Sequence, residues 1–193
     1  MTADEQRGVR PARRVPGIEG VWVLIGGDMV IFALLFGSFM SARLKHEHAF
    51  ETARHALDYH RGGLNTLLLL TSSWCVVMAL RTMREGRLEP ARRWLLLGVA
   101  GGAGFAISKV AEYASEISAG HTAGSGDFFM YYFMMTGIHL VHVLVGTAIL
   151  SVFWFKWRRA APSSLAGFES AAVFWHMVDL LWIVLFPLLY LVR

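Results

Sequence analysis

The chain has 193 residues, 55% of them hydrophobic and only 17% charged, with a formal net charge of +4. A soluble domain carries about 25% charged residues. A water-soluble fold of this size could not hide so much apolar surface, so that class is excluded and a polytopic membrane protein is expected. The positive charge does not point to nucleic acid, because the basic residues sit in short loops between apolar runs, which is the pattern of membrane topology.

The first segment, "MTADEQRGVRPARRVPGIEG", is polar and has no apolar core before a small-residue cleavage site. It is therefore expected to be a basic cytoplasmic tail (1–19) and not a cleavable signal. A spanning helix needs about 20 apolar residues, and five stretches qualify: Gly20–Ala42, Gly62–Leu80, Ala91–Tyr113, Phe128–Trp157 and Ala171–Val192. The expected fold is all-α, a single five-helix transmembrane domain over residues 20–193. Between the first two spans, "KHEHAFETARHALDYH" reads as an amphipathic helix on the outer membrane surface. Its His46, His48, His55 and His60 have a spacing that fits no compact metal-ligand motif. The third span carries Gly98, Gly101, Gly102 and Gly104, small residues that permit close helix packing. Cys75 is alone, which leaves no intrachain disulfide and no cysteine cluster for a metal. Trp22, Trp94, Trp154, Trp157, Trp182 and Tyr190 lie near span ends and are expected to anchor at the interface, while Trp74 and Trp175 are expected to pack between helices.

Lys and Arg in the tails and loops and at the adjoining span ends number 12 on the side of the N-terminus and 5 on the other. By the positive-inside rule the N-terminus is cytoplasmic and the C-terminus outside. Asp28, Lys109, Glu112, His139, His142, His176 and Asp179 fall inside the spans. Each is expensive in hydrocarbon, so each is expected to face the bundle interior and find a partner. At the helical rise, Asp28 and Asp179 fall about 12 Å inside the cytoplasmic face, His176 about 8 Å, His139 about 14 Å and His142 about 9 Å. These five therefore form one expected layer. Lys109 and Glu112, three apart near the outer boundary, could pair locally. His139 shares a face with His142, and His176 with Asp179, and the latter two are expected to satisfy each other and the facing histidines. Asn65 and Thr66, at the outer end of the second span, can hydrogen-bond across helices.

Two readings of this polar set stay open, packing glue and proton handling. A di-iron site would want two Glu-x-x-His pairs, and none occurs at these positions. Axial ligation of a haem by His176 with His139 or His142 is a formal alternative, which would make the chain a small membrane cytochrome b.

Several segments resemble subunit III of the heme-copper oxidases, in the same order: "GLNTLLLLTSSW" (63–74), "KVAEY" (109–113), "FFMYYFMMTGIHLVHVLVGT" (128–147) and "GFESAAVFWHMVDLLWIVLFPLLYL" (167–191). "GVWVLIGGDMVIFALLF" (20–36) is similar to the family helix that carries a membrane-buried carboxylate. The resemblance implies a bacterial plasma-membrane protein that binds no haem, copper or other metal. Its partners would be the catalytic subunits of a heme-copper oxidase or nitric oxide reductase, together with membrane lipids. It would support assembly, durability during turnover and proton uptake. The five-span form looks most like the NorE-type accessory branch that accompanies nitric oxide reductases in denitrification. The alternative is a short subunit III of a cytochrome c or quinol oxidase in aerobic electron transport. The resemblance also implies a polar set of Asp28, Glu112, His139, His142, Glu169, His176 and Asp179. Two departures stand out. The chain lacks the first two helices of the large seven-span members, so their phospholipid cleft does not carry over. Asp28 also stands where the family usually has Glu.

Overall fold

The computed structural model describes residues 19–54, 57–160, 162 and 164–191. The basic tail, with Arg7, Arg10, Arg13 and Arg14, lies outside the described residues, as do His55 and Val192. Among the described residues there are helices and no strand: α1 (Glu19–Lys45), α2 (Glu47–Arg54), α3 (Tyr59–Arg84), α4 (Leu88–Ser118), α5 (Asp127–Arg159) and α6 (Ala166–Phe186), the last continued by a π-helical turn over Pro187–Leu191. Five of them are long and apolar enough to cross a membrane: α1, α3, α4, α5 and α6 with its π turn. Each helix runs beyond the apolar stretch that announced it, because its polar flanking residues continue the backbone hydrogen bonding past the hydrocarbon. The direction in which the termini face is carried by the charge asymmetry of the loops alone.

Local chemistry sets the ends. Asp58 caps α3, its carboxylate accepting from the backbone N–H of His60 at 3.0 Å and of Arg61 at 3.4 Å. Gly86, at φ 74°, supplies the left-handed residue that closes α3. Pro90 then sits in the first turn of α4, where its missing N–H costs nothing. Pro187 cannot donate to the ladder of α6. There the chain widens into the π turn, which carries Leu189 and Tyr190 inward.

α3 and α4 form the most extensive pair, followed by α4 with α5 and α6 with α5 and α3. Close approach of α3 and α4 rests on the expected small residues. A Cβ at Gly101 would meet Ser72 Cβ at 2.7 Å, and the Ser72 hydroxyl donates to the Gly98 carbonyl at 2.7 Å. α6 is the most enclosed span, with 56% of its apolar window buried, against 11% for α1. α1 touches mainly α5 and α6 from the edge. The short α2 is pinned by Phe50, which is buried against Phe39 and Phe128 with ring centres at 5.5 and 5.8 Å. Its neighbours His46, His48 and His60 are exposed.

The tryptophans correct the expected anchoring. Trp157, Trp182 and Tyr190 are buried inside the bundle beside Trp175, whereas Trp74 is 63% exposed on the outer surface of α3. Position near a span end did not decide their burial. Helix face did.

Candidate functional site

The largest polar cluster is built on α4. Lys109 and Glu112 share one face of α4 and pair at 3.2 Å, with side chains 0% and 2% exposed. Tyr132 of α5 and Tyr190 of the π turn complete the arrangement. The ammonium donates to both phenols, at 3.2 and 3.0 Å. The phenols donate onward to Glu112 Oε1, at 2.7 and 2.5 Å. Lys109 Nζ also lies 4.8 Å from the Tyr132 ring centre and 5.3 Å from that of Trp182, within cation–π range. A buried pair is tolerable only when further hydrogen bonds support both ions, and here two phenols bond to the ammonium and to Oε1, while Oε2 of Glu112 has no protein partner. The sequence anticipates the pair but not its complete burial or its tyrosine bridge. Tyr132 lies seven residues before His139 on the inward face of α5, which is the one signal that could have found it.

His139 is fully buried. It stacks on Trp182 at 5.2 Å and meets Phe105 edge-on at 5.6 Å, with no protein hydrogen-bond partner for either ring nitrogen. Trp182 itself donates to the Thr66 hydroxyl at 3.0 Å, so Thr66 makes the expected bridge between helices. The neighbouring Asn65 is fully buried without a protein partner for its amide.

His142 points elsewhere. Its Nε2 lies 3.1 Å from Asp28 Oδ2, and its Nδ1 lies 2.8 Å from the Ile138 carbonyl. A carbonyl can only accept, so Nδ1 carries a hydrogen and donates it. The contact at Nε2 then has two forms. Either an imidazolium donates to the Asp28 carboxylate, or a protonated Asp28 donates to a neutral imidazole. One proton moving about an ångström converts the first into the second, so the pair is chemically able to store and pass a proton. Phe32 and Phe174 flank the imidazole at 6.0 and 6.2 Å.

At the α3–α6 seam, the Ser73 hydroxyl lies 2.6 Å from His176 Nδ1. Asp179 is 6% exposed, and its Oδ1 has no protein partner. His176 and Asp179 therefore do not satisfy each other directly. A serine from the neighbouring helix takes the histidine instead, and nothing in the local spacing announces it. Ser73→Ala, rather than Asp179→Asn, is the substitution that orphans His176. It should destabilise the protein by about 0.6 kcal/mol, the average for hydrogen bonds between membrane helices, and by at most about 1.7 kcal/mol, read as a lower melting temperature in detergent.

The five residues of the expected layer make three separate contacts. A three-residue step along a helix rotates the side chain by about 60°. On α5 that sends His139 toward α4 and α6 and His142 toward α1, so they do not share a partner. Of the imidazoles weighed as haem ligands, His139 sits against Trp182, His142 against Asp28 and His176 against Ser73. Glu169 is not a member of any buried group. It is 22% exposed at the start of α6 and pairs with Arg84 of α3 at 2.6 Å. Its place in the first turn of α6 puts it next to the loop, where a carboxylate meets basic residues. No three His, Cys, Asp or Glu side chains converge as a metal site among the described residues.

A family model described as cytochrome c oxidase subunit III matches residues 17–192. The chain is 28% identical over 182 residues to a quinol oxidase subunit 3 of Bacillus subtilis, covering 90% of this chain and 86% of the relative. It is 28% identical over 177 residues to a cytochrome c oxidase subunit 3 of Thermostichus vulcanus, covering 89% and 85%. A probable cytochrome c oxidase subunit 3 of Mycobacterium tuberculosis is 27% identical over 179 residues, with 90% and 87% covered.

Proposed function

Since the chain belongs to the cytochrome c oxidase subunit III family, we propose that it is a non-catalytic integral subunit of a bacterial terminal oxidase of the quinol or cytochrome c kind. The observation that carries this reading is similarity along nearly the whole length of relatives so described. The five-span form favoured a nitric oxide reductase accessory of NorE type when read from the sequence alone. That argument weakens against a quinol oxidase subunit 3 of which the chain covers 86%, since shortness is then no mark of the accessory branch. The oxidase reading therefore takes precedence. The protein would sit in the plasma membrane with its N-terminus inside. The catalytic subunits would hold the redox centres, and this chain would support their assembly, durability and proton uptake.

Within that role, the Asp28–His142 pair supports a proton-handling function. It is the contact whose two protonation forms differ by one short transfer, and it lies on the least enclosed helix, with side chains 14% and 19% exposed. Asp28→Asn removes the carboxylate without changing its shape. It should lower steady-state turnover of the assembled enzyme while leaving its haem content unchanged. Unaltered turnover would reduce the pair to packing.

The partner is identified by tagging this chain and recovering the complex from membranes. Co-purification of a haem protein that reduces oxygen with quinol or cytochrome c supports the proposal. Recovery of a nitric oxide reductase would move the chain to the accessory branch. A Soret band in the isolated chain, lost in His176→Ala, would make it a cytochrome.

A further inference from the structure

The end of the bundle where α4 begins and α5 finishes carries more cations than its acids engage. Glu85 pairs with Arg81 at 3.3 Å and with Arg87 at 3.6 Å. Glu89 pairs with Arg92, and Glu169 with Arg84 at 2.6 Å. Among the described residues these pairs leave Arg93, Lys156, Arg158 and Arg159 exposed and without an acidic partner. Arg92 Nε donates to the Trp157 carbonyl at 2.5 Å. This bond fastens the start of α4 to the last turn of α5, and so brings Arg93 to the same rim as the three cations of that turn.

The surface next to this rim is hydrocarbon. Phe155 and Val152, one and two turns before Arg159 on the same face of α5, are exposed. Leu96 and Leu97, one turn beyond Arg93 on α4, are exposed as well. Within the rim, the Arg158 guanidinium stands 5.0 Å over the Trp154 ring, and the Lys156 ammonium 5.7 Å from the centre of Phe153. A guanidinium stacked on a ring keeps its N–H edge free for two parallel bonds to an anion such as phosphate. Membrane topology by itself asks only for cations in a loop. Here the cations are sorted: those near an acid are paired, and four stand together above apolar surface. A phosphate free in water would use the rim alone, and a zwitterionic head would add an ammonium that the four cations repel. A molecule with a negative head and hydrocarbon chains uses both surfaces.

We propose that the rim of Arg93, Lys156, Arg158 and Arg159 binds the head group of an anionic phospholipid, whose chains lie along Phe155, Val152 and Leu97. Four or more basic residues beside a spanning helix suffice to attract acidic lipid. The site lies on α4 and α5 and needs neither of the two helices that this chain lacks. It needs no catalytic subunit either, so it stands apart from the oxidase reading.

The test uses the purified full-length protein in detergent, with phosphatidylglycerol, phosphatidylcholine or inorganic phosphate added at equal concentration. Retained lipid is counted by native mass spectrometry, and the melting temperature is followed in parallel. Phosphatidylglycerol should be retained preferentially and raise the melting temperature, and the other two should do neither. Arg158→Gln and Arg159→Gln should each lower that preference about fivefold, the effect of one cation beside an anionic surface. Arg81→Gln and Arg87→Gln remove cations already paired with Glu85 and should leave the preference nearly unchanged. Salt gives a readout that needs no variant, because the preference should fall as ionic strength rises. Equal retention of the two lipids, equal losses at the paired arginines, stabilisation by inorganic phosphate alone or indifference to salt overturns the proposal. So does an acidic segment of another subunit seated on these four side chains in the assembled complex.

Discussion

Gly146→Ala lowers the melting temperature of the purified protein, and Gly102→Ala lowers it further. Trp175 of α6 is 1% exposed and is clasped between these two glycines, one on α5 and one on α4. A Cβ at Gly146 would stand 2.6 Å from Trp175 Cε3 and 2.9 Å from Cζ3. One at Gly102 would stand 2.6 Å from Trp175 Cη2 and would also collide with the Thr147 hydroxyl. An indole is flat and rigid, with no flexible end to swing aside, so the helices themselves must part. Overpacking of this kind costs about 1–3 kcal/mol. For a chain of this size each kcal/mol shifts the midpoint by about 2–4 °C. Gly37→Ala and Gly26→Ala are the controls, because an added Cβ at either meets nothing within 4 Å. They should leave the midpoint unchanged or slightly raised. Equal losses at Gly37 and Gly146 would mean that the clasp is not what holds α6 in place.

The second large effect is at Lys109. Lys109→Met removes the ammonium and leaves Glu112 buried with two phenols and no counter-charge. Breaking one side of a buried pair costs about 3–5 kcal/mol in soluble proteins, although polar contacts inside membranes average lower. The double variant Lys109→Met with Glu112→Leu should recover much of that loss, because replacing both ions by hydrocarbon of similar volume is often close to neutral. Thermal denaturation of the single and double variants measures the coupling. A double variant no more stable than Lys109→Met would count against a paired role. The π turn adds a second readout. Tyr190 is brought to Glu112 from the far end of the chain, so the loss of stability should be accompanied by earlier proteolysis of the C-terminus.

These expectations show which parts of the molecule one dimension can reveal. The five spans were plain because burial in hydrocarbon demands continuous apolarity, and Lys109–Glu112 was plain because one helical turn brings i and i+3 together. The partners that complete the clusters were not. Ser73, Tyr132 and Tyr190 reach their sites across helix seams, and hydropathy does not record which seam a residue faces. The same blindness explains the tryptophans. By position in its span Trp182 reads as an interfacial anchor and is the hub of the core around Lys109, while Trp74 reads as a packing residue and faces outward. It also explains Glu169, whose first-turn position next to a basic loop counts for more than its place within a familiar motif.

The loose seat of α1 bears on how the protein is made. Its main neighbours are α5 and α6, which leave the ribosome last, and Asp28 meets its imidazole 114 positions later in the chain. At roughly 5–20 residues per second, the first segment to enter the bilayer waits on the order of ten seconds before its acid has anything to hold. During that interval it must survive as a solitary rod with a polar blemish. Protein cut short before α5 should then leave that rod exposed to quality-control proteases, while the finished chain withdraws it.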